Sequence, residues 1–488
     1  MKNSSFKLNR FSGKMKILHL SWMAFFLTFL VWFNHAPLLG AIAQSLSLSA
    51  SEIKALLILN VAIAIPARVI IGMVTDHFGP RLTYSLLLLV CSIPCFYFSL
   101  AENFEQAAIA RFLLGFIGAG FVIGIRLVSE WFPANELGIA EGIYGGWGNF
   151  GSAAAAISLP ALALTFGGDD GWRYAISITG LLCVIFSIIF YVEVRDTPKG
   201  STYFKPKSSG AMEVTSRGDF LLLLLMKIPM YLVLGLLVWK LSSSPMVLLS
   251  AKSAEWIYIG LILVYCYEVI QCFKVNKSIF VKPIESIHRY QFKQVAILNI
   301  LYFATFGSEL AVVSMLPLFF AETFELDMVY AGLIASGYAF MNLFSRPGGG
   351  WISDRFGRKA SLLVLTSGLA VGYFMMAMIS SQWPLFIALL VAMSCSFFVQ
   401  AGEGAVFAAV PLIKRRLTGQ IAGMTGAYGN VGAVCFLTVL SFTSYQLFFL
   451  IIALCAMLSL IALIFLTEPK GSIAEINEDG SIELIGIG

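Results

Sequence analysis

Long apolar runs separated by short polar segments dominate the chain. Six such runs precede residue 195, two lie in the middle of the chain, and six more end before residue 467. Because a helix needs about 20 mostly apolar residues to cross a bilayer, the pattern predicts an all-α membrane protein with about 14 transmembrane helices. The runs lie near 17–44, 54–75, 82–101, 107–131, 139–165, 173–194, 219–243, 254–273, 294–320, 329–352, 360–380, 383–412, 418–442 and 444–466.

Two basic, polar segments divide these runs into groups of six, two and six. One segment, rich in Lys, Ser and Pro, follows the sixth run, and the other follows the eighth. The pattern predicts four parts of the chain. They are an N-terminal six-helix bundle at 1–194, a linker with an inserted two-helix hairpin at 195–293, a C-terminal six-helix bundle at 294–466 and a tail at 467–488.

Lys and Arg are concentrated on one side of the membrane if the runs alternate in direction. That side holds the N-terminal tail, both basic segments and loops that contain Arg81, Arg358 and Lys414. The loops on the opposite side are acidic or neutral, as at Glu102 and Glu105. Because Lys and Arg favour cytoplasmic loops, we expect a multi-pass protein of the plasma (inner) membrane with both termini, linker and tail in the cytoplasm.

The composition excludes several functional classes. Hydrophobic residues make up 59% of the chain and charged residues 12%, whereas a soluble domain carries about 25% charged residues. A soluble enzyme, a disordered chain and a basic nucleic-acid binder are therefore excluded. The eight cysteines and four histidines show no spacing typical of a metal site or nucleophile. We expect the cysteines to be buried, and we expect no enzymatic activity, cofactor, metal or nucleic-acid partner.

Two motifs occur once in each half of the chain. The first, R-x3-G-x3-D-x2-G-x-[RK], runs from Arg68 to Arg81 and again from Arg346 to Lys359. The second, G-x2-G-x2-G-N-x-G, is found at 142–151 and again at 423–432. The repeat predicts two related six-helix bundles in parallel orientation. Such a repeat places a substrate site between the halves, near the middle of the membrane.

These motifs resemble those of a known family. The segment Gly72–Arg81 resembles the GxxxDxxGxR loop of the major facilitator superfamily, and Gly350–Lys359 resembles its second copy. The stretches GIYGGWGNFG and GMTGAYGNVG resemble the signature of the nitrate/nitrite porter family, and Gly118–Ala156 is similar to cyanobacterial-type nitrate permeases. The resemblance covers both halves and implies the major facilitator fold, although the central hairpin departs from its twelve-helix pattern.

Arg68 and Arg346 are candidate substrate-binding residues. Each lies well inside an apolar run, where an arginine costs about 2.5–3.5 kcal/mol on insertion scales. A guanidinium group is planar and always charged, and its fork of donors matches a planar oxyanion such as nitrate. We therefore predict that the two side chains hold an anion from two sides. The alternative is that each pairs with a buried carboxylate, for which Glu309 and Glu403 are available.

Two asparagines and three aromatic residues are further candidates for the substrate site. Asn149 and Asn430 are flanked by glycines, and their amides must face the protein interior because lipid offers no hydrogen bonds. They either bind the anion or join neighbouring helices. The resemblance implies substrate contact for Asn149, and it implies that Phe121, Tyr302 and Phe306 form the walls of the site.

Five charged residues at the cytoplasmic helix ends are predicted to act as gate latches. They are Asp76, Arg81, Asp354, Arg358 and Lys359. Asp76 is expected to cap the start of the run near 418–442, where the helix dipole favours negative charge. Arg81 is expected to pair with Glu130. The alternative is ordinary solvation of the loops.

Glycines recur at every third position in the runs near 139–165 and 418–442. Gly145 and Gly148 belong to the first strip, and Gly426 and Gly429 belong to the second. Small residues let helices approach each other closely. We predict that the strips serve packing and rocking of the two halves, with direct backbone contact to substrate as the alternative.

Glu309, Glu403 and Arg126 are candidates for proton coupling because they are ionisable and lie in or near the membrane. Nitrate entry against a negative-inside potential is uphill by ~2.3 kcal/mol per charge per 100 mV. Symport with at least two protons or exchange for nitrite would overcome that barrier. The alternative is that these residues form buried ion pairs.

The predicted function is secondary active import of nitrate and nitrite by alternating access. We favour proton coupling, since the resembling permeases serve nitrate assimilation. Expected partners are nitrate, nitrite, protons and the lipid bilayer, and the expected state is a monomer. The alternatives are a nitrate/nitrite exchanger, a carrier of another small oxyanion and a nitrate sensor that does not transport. The role of the inserted hairpin, which contains Lys227, is left open.

Overall fold

The computed structural model describes residues 6–168, 170–208, 210–243, 247–281, 284, 289–476 and 482–486. The first half of the chain is helical throughout, with short turns between helices. The chain before residue 195 contains α1 (Gly13–Phe33), α2 (Leu39–Ser45), α3 (Ala50–Ala62), α4 (Ala64–Phe78), α5 (Pro80–Ser99), α6 (Phe104–Leu114), α7 (Gly120–Trp131), α8 (Ala134–Phe166) and α9 (Gly171–Glu193).

The middle of the chain forms α10 (Arg217–Ser242), α11 (Ala251–Val275) and the short α12 (Ser278–Val281). The second half contains α13 (Phe292–Phe324), α14 (Met328–Phe340), α15 (Asn342–Phe356), α16 (Arg358–Ala377), α17 (Leu385–Ala409), α18 (Thr418–Leu440) and α19 (Tyr445–Ile464). The tail adds an antiparallel pair of strands, β1 (Ser472–Ile476) and β2 (Ile482–Gly486). Of the predicted tail, residues 477–481 and 487–488 lie outside the described residues.

Thirteen helical segments within the described residues are long and apolar enough to cross a membrane. The sequence predicts one more, in the run near 329–352. That run is helical, but it is divided into α14 and α15 at Met341. The second part carries Arg346, Pro347 and three consecutive glycines, so it lacks the apolar side chains of an ordinary membrane-spanning helix.

The same tight turn occurs in both halves of the chain. Gly79 alone joins α4 to α5 with φ of 91°, and Gly357 alone joins α15 to α16 with φ of 93°. Glycine adopts this region without the steric penalty that a Cβ imposes. The repeated sequence motif therefore has a repeated backbone structure.

The two helices that carry the repeated arginines each pack against a helix of the opposite half of the chain. α4 packs along α18, and α15 packs along α8. Within each half, α1 packs on α8 and α13 packs on α18. Each glycine-rich helix is therefore held between a helix of its own half and an arginine-bearing helix of the other half.

The inserted hairpin lies at the side of this assembly. α10 packs against α18, α13 and α3, whereas only Ala254 and Cys272 of α11 are buried. The prediction that all cysteines are buried is consequently wrong for Cys266, which is exposed on α11. The reason is that α11 turns most of its surface away from the rest of the protein.

Candidate functional site

Arg68 of α4 and Arg346 of α15 face the same aromatic ring at the junction of the two halves. Each arginine is only 1% exposed. The Cζ atom of Arg68 lies 5.9 Å from the ring centroid of Phe121, and that of Arg346 lies 5.1 Å from the same centroid. Arg68 also lies 5.2 Å above the ring of Phe306. These distances are typical of cation–π contact.

Hydrogen bonds fix the direction of both guanidinium groups. Nε of Arg68 donates to the carbonyl of Gly118 at 3.2 Å, and its Nη1 donates to the carbonyl of Gly426 at 2.7 Å. Nη2 of Arg346 donates to the hydroxyl of Tyr302 at 3.0 Å. The Tyr302 ring is stacked on Phe306, with centroids 5.1 Å apart and planes 5° apart. The structure thus brings together all three aromatic residues expected at the site.

The two arginines differ in their ionic partners. Nη1 of Arg346 lies 2.8 Å from Oε2 of Glu403, and both side chains are buried. Within the described ranges, no carboxylate forms an ion pair with Arg68. The alternative of a carboxylate partner is therefore correct for Arg346 and wrong for Arg68. The two guanidinium groups also act on each other electrostatically.

Glu309 of α13 lies beside this ion pair. Its Oε1 accepts hydrogen bonds from the side-chain amides of Asn342 and, at 3.3 Å, Gln400. Its carboxyl group also acts electrostatically on that of Glu403. Two carboxyl groups therefore lie close to the two arginines. Among the described residues, no group of three or more His, Cys, Asp or Glu side chains is arranged to hold a metal ion.

The glycine strips provide space for the arginines of the opposite half. A Cβ atom added to Gly145 would lie 2.6 Å from Nε of Arg346, and one added to Gly426 would lie 3.1 Å from Cδ of Arg68. One helical turn away, a Cβ at Gly148 would overlap Phe25, and one at Gly429 would lie 2.6 Å from the ring of Phe306. The strips therefore allow close contacts with neighbouring helices and side chains, and they also shape the walls of the site.

Asn149 and Asn430 lie one turn beyond Gly145 and Gly426 on α8 and α18. Asn149 is 7% exposed, and Asn430 is completely buried. Among the described residues, the Oδ1 of Asn149 and both amide atoms of Asn430 have no hydrogen-bond partner. The amide of Asn430 therefore makes no hydrogen bond to a neighbouring helix among the described residues.

Two aromatic residues at the site are not singled out by the sequence. The ring of Phe407 on α17 meets Phe121 at 4.6 Å and Tyr302 at 4.8 Å, both edge-on. The hydroxyl of Tyr144 donates to the carbonyl of Phe121 at 3.0 Å. With 41 phenylalanines in the chain, nothing in the pattern distinguishes Phe407. Tyr144 stands inside the repeated glycine motif, which is the signal that would have found it.

Two symmetric contacts join the halves at the end of the helices where Asp76 and Asp354 lie, which we call the basic end. The carboxylate of Asp354 accepts hydrogen bonds from the backbone N–H groups of Gly138 and Ile139, both at 2.8 Å. Asp76 accepts an equivalent pair, also at 2.8 Å, at the start of α18. Arg358 pairs with Asp354 at 2.5 Å. Negative charge is favoured at the start of a helix, where Gly419 and Gln420 lie in α18.

The predicted pairing of Arg81 with Glu130 is wrong. Nε of Arg81 donates to the carbonyl of Tyr191 at 2.6 Å, because α5 packs most extensively against α9 and Arg81 faces that helix. Glu130 instead pairs with Arg126 and, at 3.2 Å, with Arg415. Glu130 therefore joins the two halves at the basic end.

Arg126 also belongs to the basic end and not to the substrate site. Its Nε lies 3.1 Å from Oδ1 of Asp76, and its Nη2 donates to the carbonyl of Phe204 at 2.8 Å. Its Cζ lies 4.6 Å above the ring of Tyr203. The ion-pair alternative is therefore correct for Arg126, which is wholly buried between Asp76 and Glu130.

Two acidic residues that the sequence motifs do not include also lie at the basic end. Asp196 accepts a hydrogen bond from the backbone N–H of Arg81 at 2.7 Å, and Glu468 accepts one from that of Arg358 at 2.6 Å. Burial raises the pKa of Asp196, and its hydrogen bond from Arg81 opposes that rise. A Pro-Lys-Gly sequence follows each of the two acidic residues closely, and this short repeat was the available signal.

Comparison with known proteins places these features in a family. Residues 21–272 and 298–484 match the model of the Major Facilitator Superfamily. The chain is 49% identical over 455 residues to the "Nitrate/nitrite transporter NrtP" of Picosynechococcus, covering 88% of this chain and 85% of that protein. It is 45% identical over 485 residues to the protein of the same name from Nostoc punctiforme, covering 98% and 97%.

A solved structure shows the same fold at low sequence identity. The fucose:proton symporter FucP of E. coli matches with a TM-score of 0.61 and 12% identity, covering 93% of this chain and 100% of that chain. The relatives are named as transporters and not as enzymes. The chain belongs to the nitrate/nitrite porter family of the major facilitator superfamily.

Proposed function

We propose that the protein is a secondary active transporter that imports nitrate and nitrite. The observation that carries this proposal is the convergence of Arg68 and Arg346, from repeat-related helices, on the ring of Phe121. A guanidinium fork suits the flat, delocalised charge of nitrate. The unpartnered amide of Asn430 adds a hydrogen-bond donor. The names of the NrtP relatives support nitrate and nitrite as the anions.

Transport proceeds in this proposal by alternating access between the two halves. The carboxylates of Asp76 and Asp354 close the basic end by capping helices of the opposite half. The concentration of Lys and Arg at that end supports a cytoplasmic location for it. The structure then corresponds to a state closed towards the cytoplasm, and release of the anion requires both contacts to break.

The bound anion favours closure because it lies between like charges. Arg68 and Arg346 repel each other across the junction, and Glu403 offsets only part of that charge. An anion between the guanidinium groups reduces the repulsion and lets the halves close around it. Movement of the two halves is in this way linked to whether an anion is bound between the arginines.

Proton symport is the proposed source of energy. Glu309 and Glu403 remain candidates because they lie beside Arg346. Arg126 does not, since its partners are the latch residues Asp76 and Glu130. An exchange of nitrite for nitrate would need no protonatable group at the site. The contact between Glu403 and Arg346 therefore favours symport.

Transport into liposomes with imposed pH and voltage gradients tests this function. We expect nitrate uptake driven by an inward proton gradient, with no need for nitrite inside. Uptake that requires internal nitrite would identify an exchanger, and nitrate binding without any uptake would identify a sensor. Equal uptake of unrelated oxyanions, with no response to nitrate as competitor, would contradict the proposed substrate.

A further inference from the structure

We propose that Glu403 is the proton-binding residue of the substrate site and that its carboxylate competes with the transported anion for Arg346. This inference rests on the proposed nitrate transport and specifies how one of the coupled protons is bound. In the absence of the anion, Glu403 is ionised and neutralises Arg346. When the anion binds Arg346, Glu403 takes up a proton from the solution that reaches the site.

The contacts of Glu403 leave it dependent on a single counter-charge. Glu403 is completely buried, and its Oε2 lies 2.8 Å from Nη1 of Arg346. Apart from this ion pair with Arg346, neither oxygen of Glu403 has an ion-pair or hydrogen-bond partner among the described residues. Neutral hydrogen-bond donors can stabilise a buried carboxylate without an arginine. Among the described residues, no such donor contacts Glu403.

Because Glu403 is buried, losing Arg346 to nitrate also causes Glu403 to take up a proton. A buried carboxylate that loses its only ionic partner is strongly destabilised, and becoming neutral removes that penalty. Nitrate and the Glu403 carboxylate both bind through the donors of Arg346. Binding of nitrate therefore forms one O–H bond on Glu403, and release of nitrate breaks it, with no other change in bonding.

The surroundings distinguish Glu403 from Glu309. Glu309 already accepts hydrogen bonds from the neutral amides of Asn342 and Gln400, whereas Glu403 accepts none from a neutral group among the described residues. The charged and titratable groups that face Glu403 are Arg346 on α15, Arg68 on α4, and Glu309 and Tyr302 on α13. Both cations stabilise the ionised form of Glu403, and an anion between them removes that stabilisation.

Nitrate affinity of the purified full-length protein across a pH series tests the inference. For the wild type, we expect the Kd for nitrate to rise by up to about tenfold per pH unit above the pH at which Glu403 ionises in the free site. Glu403→Gln removes the competing charge. Its Kd should be independent of pH and equal to that of the wild type at acidic pH.

A control variant separates this effect from the loss of any buried carboxyl group. Glu136→Gln changes a buried glutamate of α8 that pairs with Lys14 and not with an arginine of the site. This variant should keep the pH slope of the wild type. Glu309→Gln changes the other candidate for proton binding, and nitrate affinity should still depend on pH in this variant because Glu403 is present. A Glu403→Gln protein that keeps the wild-type slope, or that binds nitrate more weakly at every pH, would overturn the inference.

A second measurement on the wild type needs no variant. Nitrate added to the protein in weakly buffered solution should cause uptake of about one proton per bound anion at alkaline pH. Nitrate binding with no proton uptake and no pH dependence would overturn the role of Glu403 and leave the proposed transport intact. Failure of the wild type to bind nitrate at any pH would instead contradict the proposed function.

Discussion

Gly145 of α8 lies directly against the guanidinium group of Arg346 of α15. A single methyl group at Gly145 would come within 2.6 Å of Nε of Arg346. Since α8 and α15 belong to opposite halves of the chain, this glycine sets how closely one half approaches the charged group of the other. The pair Gly426 and Arg68 repeats the relationship with a wider spacing of 3.1 Å.

The first prediction concerns Gly145→Ala. The added Cβ must displace the Arg346 side chain, and overpacking of this kind costs about 1–3 kcal/mol, so nitrate affinity should fall by about tenfold. Gly426→Ala should have a smaller effect because its Cβ has more room. Gly348→Ala is the control, since a Cβ there meets nothing within 4 Å. Equal affinities for all three variants would show that the glycine does not position the arginine.

The second prediction concerns the closed basic end. Asp354→Asn replaces a carboxylate that accepts two backbone hydrogen bonds across the junction, and hydrogen bonds to a charged group contribute about 1.5–3 kcal/mol each. The closed state should become less populated. Distances between spin labels on the α4–α5 and α17–α18 turns should shift to a longer population.

Glu52→Gln provides the comparison for this second prediction, because Glu52 caps α3 within one helix and does not join the halves. Its distance distribution should match that of the wild type. If Asp354→Asn also matches the wild type, the contact does not hold the halves together.

The third prediction concerns the hydroxyl of Tyr302. Tyr302→Phe removes the acceptor for Nη2 of Arg346 at 3.0 Å and keeps the ring stacked on Phe306. A hydrogen bond of this type contributes about 0.5–1.5 kcal/mol, so nitrate affinity should weaken by about 3- to 10-fold. Tyr428→Phe, which removes a hydrogen bond to the hairpin residue Met226, should leave nitrate affinity unchanged.

The internal repeat explains why many residues of the site can be predicted from the sequence. Arg68 and Arg346 occupy equivalent positions in two copies of one motif, and so do Asp76 and Asp354. Position in a motif therefore identifies them without knowledge of the packing. The apolar pattern likewise locates the helices. The helical run that contains α15 is not apolar enough to count as a membrane span, because α15 carries an arginine and three glycines.

Contacts that depend on how helices are rotated against each other cannot be predicted from the repeated motifs. The sequence does not show that Arg81 faces α9, which is why its pairing with Glu130 is wrong. It offers both Glu309 and Glu403 as partners for Arg346, and only the packing of α17 selects Glu403. Phe407 is one phenylalanine among 41.

The central claim is that two guanidinium forks bind one anion. Nitrate binding to purified Arg68→Lys protein tests this most directly, because Arg68 has no ionic partner among the described residues and lysine keeps the charge but not the fork. Arg355→Lys on the exposed surface of α15 is the control. We predict at least about a tenfold loss of affinity for Arg68→Lys and wild-type affinity for Arg355→Lys. Wild-type nitrate affinity in folded Arg68→Lys protein would contradict the account.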